Sequence, residues 1–297
     1  MSDFIQLLFN GLVTGAILAI AAVGVSIVYG VLKLVNFAAG DFLTLGAFVT
    51  VFLSVDRHVP FVVAIFIAML TIAAISVALE FTIWRGLRKS KAGTLSLFLV
   101  ATGVSLIVRQ LILIIFGVGS RKFDVDQVKT YEFLGAQIAQ AQLVVLIFAS
   151  ATIMGLGLLI AKSPIGKGMR AFSDNPSLAS VAGVNVDRII LATWLISGLL
   201  TGLAGVFQGM VQGSFESTMG WMLLLPIFAA VVLGTIGDAY GALLGGFVLG
   251  LVMELSTWSF FFGGVPSSYK PVVAFATLAL VLLVKPEGLL GYKARSI

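Results

Sequence analysis

The chain contains no cysteine, which leaves it without a disulfide or a thiolate metal site. It has a single histidine, His58, beside Arg57 in a short loop, so a histidine metal cluster is excluded and a solvated surface position is expected. Charge is also scarce. Asp, Glu, Lys and Arg make up 10% of the 297 residues, where soluble domains carry about 25%. A phosphate-binding loop is missing too: Gly166-Lys167-Gly168 has neither the earlier glycine at the required spacing nor a following Ser or Thr. No His-Glu-x-x-His pair and no Ser–His or Cys–His set stands ready for nucleophilic catalysis. The sequence therefore assigns no catalytic residue, no metal and no cofactor, and it does not read as an enzyme.

What the chain has in excess is apolar residues, 60% of the total against about 45–50% in ordinary globular proteins. A soluble fold of this length cannot hide that much apolar surface. The fold class is an all-α polytopic membrane protein, residues 1–297 forming one transmembrane domain. About 20 apolar residues cross a bilayer. On that criterion spans are expected at Phe4–Tyr29, Phe37–Val55, Pro60–Trp84, Thr94–Phe116, Leu143–Ala161, Ile189–Gln212, Trp221–Ile236, Ala239–Phe262 and Pro271–Val284. That makes nine transmembrane helices, within a range of eight to ten. The seventh is short, and the Gly237-Asp238 turn after it also suits a re-entrant hairpin. The opening MSDFIQLLFN has no basic n-region and carries Asp3, so it reads as the start of a retained span.

The net charge of +5 is modest and reads as membrane topology rather than nucleic-acid affinity. Arg85, Arg88, Lys89 and Lys91 follow the third span, Lys162 to Arg188 flank and fill a long polar loop, and Lys285, Lys293 and Arg295 lie in the tail. Placing all three clusters in the cytoplasm is self-consistent and leaves the N-terminus outside. The Gly117–Gln142 loop then faces outward, with Arg121, Lys122 and Lys129 balanced by Asp124, Asp126 and Glu132.

Three features stand out against this apolar background. The longest polar stretch, Ser163–Arg188, predicts a short helix in its second half: Asn175 or Asp174 as N-cap, Pro176 in the first turn, Gly183 as the closing residue. Next, Asn36-Phe37-Ala38-Ala39-Gly40-Asp41 places an amide, a glycine and a carboxylate where the second span begins. This suggests a broken or late-starting helix with backbone turned towards a cavity. Asn36, Gly40 and Asp41 are accordingly candidates for the inner part of a translocation pathway; equally, Asn36 and Asp41 suit simple helix caps. Finally, Asp41, Glu80, Arg109 and Glu254 fall within predicted spans, where charges face a cavity or a partner. Asp41 and Glu80 are expected near the inner ends. Arg109 and Glu254 each fall about two-thirds of the way along outward-running spans, so an Arg109–Glu254 ion pair is geometrically open. Glycines at 11 and 15, at 198, 202, 205 and 209, and at 241, 245, 246 and 250 form small-residue faces, read as packing seams.

These motifs occur in an order that resembles the branched-chain amino acid ABC transporter permeases, and among them the shorter of the two paired permease subunits. The opening series Gly11, Gly15, Tyr29-Gly30, Asn36-Phe37-Ala38, Gly40-Asp41 and Gly46-Ala47 carries it, with Ala39 standing where the family usually has His. It resumes at Arg170-Ala171, Asn175-Pro176, Ala179, Gly183-Val184-Asn185 and Asp187-Arg188, then at Gly234-Thr235-Ile236-Gly237-Asp238, and ends at Lys285-Pro286-Glu287-Gly288-Leu289. Permeases of ABC importers have Glu-Ala-Ala, three residues and then Gly in a cytoplasmic loop. Here Ala179 and Gly183 match the last Ala and the Gly.

The resemblance implies an ABC importer permease fold in the cell inner membrane, with a coupling segment at 163–188 in which Asn175, Pro176, Ala179 and Gly183 meet the ATPase. It also implies a second, related permease subunit, two cytoplasmic ATPase subunits and an extracytoplasmic substrate-binding protein. The substrate class would be leucine, isoleucine or valine, with urea and short amides as the alternative from a related branch. An ion-coupled secondary transporter calls for clustered mid-membrane acids, which the sequence does not offer, and a passive channel is the third reading.

Overall fold

The structure, a computed structural model, describes residues 2–124, 129–133, 135–259 and 264–291. Asp126, Phe262 at the end of the eighth expected span, and the tail residues Lys293 and Arg295 lie outside the described residues. The chain runs through helices α1 (Ser2–Leu32), α2 (Ala39–Val51), α3 (Phe61–Leu79), α4 (Arg85–Lys89), α5 (Thr94–Phe116), α6 (Gln140–Lys162), α7 (Pro164–Asp174), α8 (Pro176–Val181), α9 (Val186–Gln212), α10 (Met219–Gly234), α11 (Ala239–Leu255) and α12 (Lys270–Val284). Single π-helical turns, Phe52–Asp56 and Glu80–Trp84, extend α2 and join α3 to α4. Each of the nine apolar stretches expected from the sequence holds a helix, the eighth ending at Leu255, because in lipid only a helix satisfies its own backbone. Among the described residues seven helices are long and apolar enough to cross a membrane, and α10 and α11 are shorter apolar helices.

Two seams hold the bundle together. Along the first, α1 and α11 run antiparallel with Gly15 against Phe247 and Gly250, and Ala19 against Gly246. A Cβ on Gly250 would run into the Gly15 Cα, so only glycine permits this approach. In the second, α9 lies across α2 and α3, with Gly198 on Ala73, Gly202 on Met69 and Ile72, and Gly205 on the Leu43 carbonyl. Gly46 returns the contact, since a Cβ there would come within 2.8 Å of the Gly202 carbonyl oxygen. Van der Waals packing of this kind is the main attraction between helices in lipid, which removes the usual hydrophobic drive.

The two ends of the bundle differ. At one end β1 (Arg121–Lys122) pairs antiparallel with β4 (Ser214–Phe215), and β2 (Thr130–Phe133) with β3 (Ala136–Ala139). Phe48, Phe116, Phe123 and Phe215 cluster beneath β4. The N-terminal turn of α1 lies here too, where Gln6 accepts the Gln137 N–H. The other end carries the basic clusters. Arg85 pairs with Asp187 at 3.7 Å, Ser173 of α7 donates to the Gly30 carbonyl, and the Leu289 N–H of the tail reaches the Leu233 carbonyl.

Candidate functional site

After α1 the chain leaves helical geometry at Lys33, with φ at +52°, and stays irregular to Ala38. The stretch is a turn rather than an extended run: Phe37 and Ala38 form the turn, with Ala38 at φ −71° and ψ −9°. Asn36, Ala38 and Ala39 are all buried, so α2 begins inside the bundle. Asn36, buried, starts the helix: its Oδ1 accepts the Ala38 N–H at 3.2 Å and its carbonyl accepts the Ala39 N–H at 3.3 Å. Gly40 in the first turn of α2 abuts Gly220 in the first turn of α10, and a Cβ on Gly40 would sit 2.5 Å from the Gly220 carbonyl oxygen. Thr44 closes the junction, accepting the Gly220 N–H at 2.9 Å and donating to the Gly40 carbonyl at 3.2 Å. Two helix N-termini therefore converge inside the bundle, each adding partial positive charge.

Asp41 stands at this junction, fully enclosed at 0% exposure. Its Oδ1 accepts from Arg109 Nε at 2.9 Å, and its Oδ2 accepts from Arg109 Nη2 at 3.2 Å and from the Ser105 hydroxyl. Ser105 and Arg109 lie four residues apart on one face of α5, so a single face supplies both donors. The Arg109 guanidinium also lies over the Trp221 ring, 4.4 Å from its centroid. Fifteen residues of α5 separate Thr94 from Arg109, about 22 Å of rise, so the cluster lies deep in the bundle.

This arrangement corrects two expectations. Arg109 does not pair with Glu254: it binds Asp41, while Glu254 accepts from Lys270 Nζ at 2.7 Å and from the Thr14 hydroxyl at 3.1 Å. The expected pairing rested on matching depth along two spans and could not include direction around the bundle. In the fold α5 faces α2, whereas α11 lies along α1. Asp41, in turn, does lie in the first turn of α2, but that turn is fully enclosed and level with Arg109, deep in the bundle rather than near its inner face. Ser105, Trp221, Thr44 and Lys270 were not picked out from the sequence. The spacing of Ser105 and Arg109 was a usable signal, and Lys270 fell one residue outside its span. Glu80 is buried and accepts from Arg88, at 2.8 Å to Nη1, and from Trp194 Nε1 at 2.8 Å, in keeping with a structural role.

The long polar loop forms two helices where one was expected. Ser163 caps α7 by accepting the Gly166 N–H at 2.9 Å, with Pro164 in the first turn. Met169 and Phe172 turn inward and Ser173 holds α7 to α1. Asn175 ends α7 and caps α8, its Oδ1 accepting the Leu178 N–H at 3.0 Å, with Pro176 next. Gly183, with φ at +84°, closes α8 as the Gly183 and Val184 N–H groups return to the Ser180 and Ala179 carbonyls. Ala179 points inward at 4% exposure, whereas Leu178 and Val181 stand out at 65% and 86%. Any surface that α8 offers is therefore carried by Leu178 and Val181, with Asn175 and Pro176 shaping it.

A multi-pass helical bundle, a polar junction between two late-starting helices and a capped helix pair at the basic end together define a membrane permease. The chain belongs to the family described as branched-chain amino acid transport system, permease component, which matches residues 7–282. It is 32% identical over 303 residues to the high-affinity branched-chain amino acid transport system permease protein LivH of Salmonella typhimurium, covering 97% of this chain and 96% of that one. It is 29% identical to the corresponding protein BraD of Pseudomonas aeruginosa over the same share of both. Among solved structures, PsaBC from Streptococcus pneumoniae in complex with Fab shares the fold, with a TM-score of 0.51 at 15% identity over 96% of this chain and 92% of that one.

Proposed function

We propose that this chain is a transmembrane subunit of an ATP-driven ABC importer that moves branched-chain or other hydrophobic amino acids inward across the cell inner membrane. The observation that carries the reading is family membership across nearly the whole chain, to relatives named for that transport. The bundle's asymmetry supports it. With the basic end in the cytoplasm, as the positive-inside rule requires, the N-terminus lies outside and α7–α8 faces soluble partners.

On this reading two cytoplasmic ATPase subunits dock on α8. Leu178 and Val181 enter an apolar cleft, and Asn175, Pro176 and Gly183 keep the helix short and rigid. Because α7 is bonded to α1 through Ser173 and Gly30, a push on α8 reaches the α1–α11 seam directly. A second, related permease subunit completes the pathway, and an extracytoplasmic binding protein delivers substrate. Asn36, Gly40 and Asp41 form the wall of that pathway from behind, holding α2 and α10 in place.

The test is uptake of labelled leucine by cells carrying the whole system. Leu178→Arg with Val181→Asp is expected to abolish uptake and substrate-stimulated ATP hydrolysis while the chain stays in the membrane at normal level. Ala179→Glu is expected to lower that level as well, since its side chain has no room. Full uptake in the double variant would overturn the coupling role, and uptake of urea in place of leucine would overturn the substrate.

A further inference from the structure

Arg109 is incompletely satisfied by the protein. Asp41 takes hydrogen bonds from Nε and Nη2, which leaves Nη1 without an acceptor among the described residues. The Arg109 side chain as a whole keeps 14% of its surface open, and among the described residues the sealed side-chain nitrogen without a partner is Trp84 Nε1, not Nη1. An N–H donor left open towards hydrocarbon is strongly disfavoured, so Nη1 calls for a polar group on its open side. The Trp221 ring beneath the guanidinium is itself 43% exposed.

The surface beyond Trp221 has a consistent character. Trp221, Leu225 and Phe228 recur at helical spacing along α10, running from the level of Arg109 towards the basic end. Phe228 meets Phe37 at 5.0 Å between ring centroids, and Phe37 meets Phe98 of α5 at 4.9 Å. A cationic donor thus tops a strip of aromatic and aliphatic surface that is open beside it at Leu225 and Phe98.

From this arrangement we infer that Arg109 and the Trp221 face form a transient substrate subsite, where Nη1 takes the α-carboxylate of the passing amino acid and the aromatic strip takes its aliphatic side chain. The inference rests on the proposed function and names the atoms that contact its substrate. Asp41 acts as a positioning residue: it pins Nε and Nη2 and turns Nη1 outward. The bidentate geometry suits arginine and not lysine, whose single ammonium Asp41 would draw away. The converging N-termini of α2 and α10 add to the positive potential at the carboxylate position.

The cysteine-free chain permits a direct test in the full complex, reconstituted in nanodiscs. Met222→Cys, beside Trp221, is treated with a small methanethiosulfonate reagent, and Leu106→Cys, one turn before Arg109, serves as a second reporter. Leucine is expected to slow labelling, whereas leucinamide, which lacks the carboxylate, is expected not to. With Asp41→Asn and Arg109→Gln combined, protection is expected to require about 10–100-fold more leucine, the loss of one charge-assisted bond. Equal protection by leucine and leucinamide would overturn carboxylate recognition. An absence of protection in a complex that still transports leucine would overturn the subsite and leave the importer reading intact. Failure of both cysteines to label in the assembled complex would show the face sealed by a neighbouring subunit and would also overturn it. Transport of urea without leucine would remove the proposed function first.

Discussion

Asp41 and Glu254 are both acids buried within one helical bundle, both held by a basic side chain and a hydroxyl, and yet they do different work. Asp41 is enclosed on every side and clasps a guanidinium by two nitrogens, with Ser105 as its third donor. Glu254 lies one residue from the end of α11 and meets the point charge of Lys270 at the start of α12, with Thr14 alongside. Lys270 is 24% exposed, so water shares its charge. The contrast is one of dielectric and of geometry. The Glu254 pair fastens two helix ends where solvent is near, and the Asp41 pair fixes the direction of a planar group deep inside. Only the second arrangement leaves an oriented donor at depth.

The largest effect is expected from breaking the deeper pair. Asp41→Asn leaves the Arg109 charge without its counter-ion in a low-dielectric site, which typically costs about 3–5 kcal/mol. Thermal unfolding of the purified chain in detergent should record that loss, and Asp41→Asn combined with Arg109→Gln should recover much of it. A single variant as stable as the native chain would mean that Arg109 has another counter-charge.

A smaller effect is expected at the other pair. Glu254→Gln should cost about 1–2 kcal/mol, between an exposed ion pair and an enclosed one. Double-mutant cycles measured on Glu254 with Lys270, and on Asp41 with Arg109, should rank the second coupling clearly higher. The reverse order would show that solvent reaches Asp41 and that the depth assigned to it is wrong.

Much of the fold was legible because lipid imposes a simple rule, and every apolar stretch read as a span holds a helix. The glycine seams were legible too, since Gly11 and Gly15 or Gly202 and Gly205 recur at helical spacing. What a linear reading could not supply was direction around the bundle. Arg109 and Glu254 match in depth, and nothing local reveals that α5 turns towards α2 and α11 towards α1. The depth of Asp41 was hidden for another reason: α2 begins among buried residues after an irregular turn, and a hydropathy run does not show where within the bundle a helix starts. In the polar loop the capping residues Asn175, Pro176 and Gly183 sit where they were expected. The inward turn of Ala179 depends on α7, whose own cap at Ser163 was overlooked.

The smallest effect concerns Asn36, which supports the deeper pair without touching it. Its side chain satisfies the Ala38 N–H at the entrance to α2, a group that no helical carbonyl can reach. Removing that acceptor with Asn36→Ala should cost about 1 kcal/mol, the usual net worth of one buried hydrogen bond. Asn36→Ser should recover part of it, because a hydroxyl accepts the same bond more weakly. The position also separates a pathway wall from a pathway lining. Asn36 is buried behind α2, so Asn36→Cys should react slowly with an impermeant thiol reagent whether or not ATP is being hydrolysed, while Met222→Cys beside Trp221 should react readily. If Asn36→Cys instead labels quickly, and at a rate that follows the transport cycle, the 33–38 stretch itself opens to solute. The comparison would then shift, with Asn36 contacting substrate and the Asp41 pair acting only as the hinge behind it.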